Sequence, residues 1–155
     1  MLLIFFINGI IVTIVVVIHY EVLHALTTQI PKLPIAPRLR VVYGVLGSMV
    51  AHVVEVWVFA FAYYFLIKNG SFGSLQGNFD GSLRDCAYYS ITAYSSLGTG
   101  DIEPHGLIRF VAGMEALAGL VMITWSASFM FIEMQKYWLL SNHKSNNNHK
   151  SNNNH

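Results

Sequence analysis

Tyr94-Ser95-Ser96-Leu97-Gly98-Thr99-Gly100-Asp101-Ile102-Glu103-Pro104 is a short, hydroxyl- and glycine-rich stretch set between two strongly apolar segments. Just upstream, Ser82-Leu83-Arg84-Asp85 has the Ser-x-x-Asp form of a capping box. In such a box the Ser82 hydroxyl and the Asp85 carboxylate satisfy amides left free at a helix start. The helix it opens, Leu83 to Tyr94, is about 12 residues and therefore about 18 Å long. The apolar core of a bilayer is about 30 Å thick, so this helix is too short to cross. Backbone cannot be left unpaired in lipid, so the sequence predicts a re-entrant segment that turns back at the glycines and is shielded by protein or faces water.

The composition puts that loop in a membrane. The chain has 155 residues, of which 54% are hydrophobic and 11% charged, with mean hydropathy +0.50. A soluble domain carries about a quarter charged residues, so this is an integral membrane protein. A net charge of +1 with no basic face excludes nucleic acid as a partner. The single Cys86 excludes an internal disulfide and reads as a small packing residue in a buried helix.

Four regions follow along the chain. Residues 1–26 read as a first transmembrane helix, a retained span rather than a cleaved leader, since neither a basic n-region nor a small-residue cleavage site is visible. Residues 27–40 hold Pro31, Pro34 and Pro37 with Lys32, Arg38 and Arg40, and read as a loop. Residues 41–138 hold a second span to Ile67, a glycine-rich connection over 69–82, the short helix with its loop, and a third span from His105 to Trp138. Residues 139–155 include a polar Ser/Asn/His/Lys repeat with nothing to bury, so disorder is expected there. Most Lys and Arg near span ends lie in the 27–40 loop and at Lys136, Lys144 and Lys150, which predicts that both are cytoplasmic. Three spans then put the N-terminus and the re-entrant loop outside, in a multi-pass protein of the cell's inner (plasma) membrane.

Ser96, Leu97, Gly98, Gly100 and Asp101, with the continuation Asp-Ile-Glu-Pro, resemble the signature of the potassium-channel pore family. In that family a Thr-Val-Gly-Tyr-Gly-Asp run forms the selectivity filter, and Thr99 stands where it has an aromatic residue. The likeness covers roughly residues 41–138. It implies an all-α membrane protein with three transmembrane helices, a re-entrant pore helix and a filter loop, assembled as a homotetramer in lipid. It also implies passive conduction of K⁺ or another monovalent cation, with no enzyme activity, cofactor or metal. The filter would be Ser96, Leu97, Gly98, Thr99, Gly100 and Asp101. Ser82, Asp85, Tyr88, Tyr89, Thr92 and Tyr94 of the pore helix would support it.

A filter replaces a cation's water with backbone carbonyls that all point to one axis, which requires left-handed residues at alternate positions. Glycine adopts these at little steric cost, and Gly98 and Gly100 alternate as needed. Thr99 is too short to reach the surrounding pore helices as the family's aromatic ring does, so weak selectivity is expected. Gly119 falls near the position where the family places a gating hinge; the plain alternative is that it lets helices approach closely.

Charged groups inside spans are costly and need a partner or a task. His52 and Glu55 share one helix face, and Glu115 is expected to pair with one of them, as a polar clamp or as a pH sensor. His19 and His24 lie about 140° apart around a helix. With Glu21 they read as polar anchors near the cytoplasmic end of the first span. Trp57, Trp125 and Trp138 read as packing residues or interface anchors. Two other functions compete with conduction: a membrane metal or haem protein using these histidines, and a non-conducting structural subunit. Neither uses the Gly98–Asp101 loop for ion passage. No serine or cysteine lies in a recognisable nucleophile motif.

Overall fold

The computed structural model describes the backbone of residues 2–152 and the side chains of residues 2–36 and 38–136. Three long helices carry the fold: α1 (Leu2–Gln29), α2 (Pro37–Lys68) and α4 (Ile108–Asn152). The short α3 (Leu83–Tyr94) sits between α2 and α4 in sequence and packs against both. The apolar portions Leu2–Lys32, Arg38–Lys68 and Ile108–Lys136 are each long enough to cross a membrane. The chain is thus a mostly helical, multi-pass membrane protein.

Local sequence sets the helix ends. α1 runs without a breaker until Pro31, where the chain tightens into the 3₁₀ turn Ile30–Lys32. Pro37 then opens α2 at the first turn, where a missing amide costs nothing. α1 extends to Gln29, beyond the 26 residues of the sequence reading, so His19 lies well inside the helix, away from its C-terminal end. α1 turns one stripe inward, Ile4, Asn8, Ile11, Val15, His19, Leu23 and Leu26, at helical spacing. This stripe packs on α2 and α4, and the main core gathers around Phe59, Tyr63, Ile108 and Val111. Only 28%, 33% and 28% of the most apolar window of each span is buried within the chain, so most of the surface of the spans is left for lipid or for other copies.

One element was not legible as such. The glycine-rich connection contains strand β1 (Gly73–Gly77), which pairs antiparallel with β2 (Ile102–Gly106) directly after the glycine loop. Gly73 and Gly77 mark its ends because a Cβ there would lie 2.1 Å from the carbonyl oxygens of His105 and Asp101. Gly73 and Gly77, read from the sequence as part of an exposed connection, are therefore places of close backbone approach. The pair clamps the far end of the 96–101 loop: Asn78 N donates to Asp101 O at 2.9 Å.

Helical backbone continues to Asn152, because extending a formed helix costs far less per residue than starting one. Residues 153–155 and the side chain of Trp138 lie outside the described residues.

Candidate ion-conducting site

The site begins at the start of α3. Ser82 caps the helix by accepting from Asp85 N at 3.2 Å. The Asp85 carboxylate accepts from Asp80 N at 2.8 Å, and Ser82 N donates to Asp80 Oδ1 at 2.7 Å. The box therefore closes through Asp80, one partner more than the sequence motif contains. The Ser82 contacts hold the Asp80 carboxyl below the usual carboxylate range.

At its other end α3 hands the chain to the loop. Thr92 O accepts from Leu97 N at 2.9 Å and from Gly98 N at 3.3 Å, so the turn folds back on the helix that precedes it. Beyond it, backbone φ is positive at Ser96 (57°), Gly98 (57°) and Gly100 (76°), with Leu97 and Thr99 between them outside that region. The two glycines take the left-handed conformation at little cost. Ser96 does so as an L-residue, at an expense of roughly 1–2 kcal/mol that the surrounding contacts must offset. Residues 96–100 are all exposed on the single chain.

The outer part of the loop is held by side chains. Tyr88 OH, on α3, lies 3.4 Å from Thr99 Oγ1, and Thr99 donates in turn to the Asp101 carboxylate. That hydrogen bond, with a smaller one from Tyr88, holds the Asp101 carboxyl below the usual range and keeps it charged. Of the tyrosines named as supports, Tyr88 is the one in contact with Thr99. Tyr89 packs edge-on against Tyr63, and Tyr94 turns away from the loop into the core. Thr92 is buried, its hydroxyl bonded to Tyr89 O at 2.8 Å.

Behind the loop are two buried polar nodes in place of one clamp. Glu55 Oε1 lies 2.7 Å from His19 Nδ1, while Oε2 lies 3.3 Å from His52 Nδ1 and accepts from Tyr94 OH. Glu115 joins neither His52 nor Glu55. It accepts from Tyr63 OH at 2.5 Å and sits 2.5 Å from Ser90 Oγ, which also approaches Val56 O at 2.9 Å. The first node fastens α1 to α2 and, through Tyr94, to α3, and the second fastens α4 to α2 and α3. The sequence reading paired Glu115 with His52 or Glu55 because Glu115 lies at comparable depth in its span. The signal for the true partner was the α1 stripe, in which His19 occupies a core position.

Gly119 has a contact that accounts for it. A Cβ there would lie 2.1 Å from Tyr94 O and 2.9 Å from its carbonyl carbon. Glycine is what lets α4 reach the last residue of α3. Close approach is by itself a sufficient reason for glycine at this position.

A family model described as an ion channel matches residues 51–136, more than half of the chain. The chain belongs to that ion channel family. The matched span takes in most of α2, all of α3 and the loop, and the apolar part of α4, which are the elements that position the 96–101 stretch. α1 lies outside it, so the fastening of His19 to Glu55 on α2 rests on the structure alone. The family is not one of enzymes. No curated protein and no solved structure matches the channel significantly.

Proposed function

We propose that this protein is a cation channel in which four copies surround a pore lined by Ser96–Asp101, conducting K⁺ and other monovalent cations passively. The observation that carries the reading is the alternation of left-handed residues at 96, 98 and 100 in a loop that follows a capped, sub-membrane-length helix. Alternating hand turns successive carbonyls to one side of a chain, which is what replacement of a cation's hydration shell demands. One loop cannot enclose an axis, and exposure of all of residues 96–100 on the single chain supports closure by other copies. α3 ends at the loop with its negative dipole end, which favours a cation beneath it, and Asp101 from each copy forms an acidic outer mouth.

In this arrangement the N-terminus and loop lie outside and the 27–40 loop inside, with α2 as outer and α4 as inner pore helix. Selectivity for K⁺ over Na⁺ is weak. Tyr88 reaches Thr99 at the long distance of 3.4 Å, and one such contact is a poor substitute for an aromatic ring wedged between helices. The test is a bi-ionic permeability measurement on a particle of verified mass. A tetramer with K⁺/Na⁺ below roughly a hundredfold (about 2.7 kcal/mol of discrimination) is expected. A monomeric or dimeric particle contradicts the assembly, and a larger ratio contradicts the selectivity.

A further inference from the structure

We propose that His19, His52 and Glu55, with the Tyr94 hydroxyl, form a binding site for a divalent transition metal of the zinc class that cross-links the first span to the root of the loop. The imidazole nitrogens of His19 and His52 and a Glu55 carboxylate oxygen all lie within 4.8 Å of one another. The individual separations are 2.7 Å (His19 Nδ1 to Glu55 Oε1), 3.3 Å (His52 Nδ1 to Glu55 Oε2) and 2.9 Å (His52 Nδ1 to Tyr94 OH). Four ligands at zinc bond lengths of about 2.1 Å stand about 3.4 Å apart in a tetrahedron, so small side-chain shifts admit an ion.

The chemistry of the donors selects the class of metal. Two imidazoles and a carboxylate are a common set for zinc, cobalt and nickel, whereas calcium and magnesium take oxygen ligands. A third helix supplies the phenol oxygen, and a fourth supplies outer support. Ser126 Oγ on α4 lies 3.3 Å from His19 Nε2, where a ring ligand ordinarily has its orienting hydrogen bond. His19 and Glu55 are completely buried. Access exists from one side: His52, Tyr94 and Ser126 all line a cavity of about 690 Å³ between α2, α3 and α4. The sequence concealed the site because His19 and Glu55 are 36 residues apart. The inference does not rest on conduction and concerns binding alone.

The experiment titrates the full chain in detergent with Co²⁺, after replacing His143, His149 and His155 by glutamine to silence the tail. The expected result is saturation at one Co²⁺ per chain with the intense visible ligand-field bands of four-coordinate cobalt, displaced by Zn²⁺. His52→Gln, which alters the half-open rim of the site, should weaken binding at least tenfold. Ser126→Ala, which leaves every ligand in place, should weaken it about tenfold as well. Failure of the tail-silenced protein to bind, octahedral spectra, or unchanged affinity in His52→Gln would each overturn the proposal. Retained binding in a protein that passes no ions would leave it standing while sinking the channel reading.

Discussion

Substitution of Gly119 by alanine probes the contact on which the loop's position depends. The new Cβ would stand 2.1 Å from Tyr94 O, and ordinary contact begins at 3.4 Å, so α4 or the end of α3 must retreat by about 3.4 − 2.1 = 1.3 Å. The obstructing atom is backbone, held in the last turn of a helix, and cannot swing aside as a side chain would. Overpacking of this kind costs about 1–3 kcal/mol. Alanine also gains up to about 1 kcal/mol over glycine in a helix, which would mask part of the loss. Gly113→Ala on the same helix supplies the correction, because a Cβ at Gly113 meets nothing within 4 Å. The propensity gain is common to both, so the difference between the two variants is the clash alone.

Thermal unfolding in detergent, followed by circular dichroism, should place Gly119→Ala about 1–3 kcal/mol below Gly113→Ala. Ion flux should fall in the first and persist in the second. A hinge at Gly119 would alter opening and leave unfolding untouched. Equal stability of the two variants would refute the close-contact reasoning.

Two further tests use the hydrogen bonds around the loop and core. Asp101 has a depressed pKa because Thr99 donates to it, so its charge is present above that value and is lost only as the pH at the loop falls through it. In Thr99→Val the donor is gone, and conductance should decline at a higher pH than in the parent; an unmoved or lower midpoint would contradict the assignment. Tyr63→Phe strips Glu115 Oε2 of its partner in a fully buried site and should cost about 1–3 kcal/mol in the same unfolding assay. Tyr43→Phe, at the exposed contact with Gln29, should cost under about 0.5 kcal/mol.

The parts of the fold written in local chemistry were legible. The number of spans follows from the apolar runs, α3 from the Ser82 cap, and its shortness from the glycine stretch that follows it. The left-handed positions at Gly98 and Gly100 follow from residue type, whereas Ser96 does not: nothing in a serine announces positive φ. Long-range pairing was harder. β1 and β2 lie on either side of α3, and their partnership shows only in backbone approach at Gly73 and Gly77. The carboxylates were rightly marked as needing partners, yet Glu55 found His19 and Glu115 found Tyr63 and Ser90. Helix order around the core decided that, and a periodic pattern does not encode which helix faces which.

Conduction itself is the central claim. Purified protein reconstituted into liposomes and loaded against K⁺ or Na⁺ gradients should pass both ions passively, with K⁺ favoured little if at all. Gly98→Val, which forces a β-branched side chain into a left-handed position of the loop, should abolish the flux while the particle keeps its mass. Flux of neither ion above that of protein-free liposomes would contradict the account.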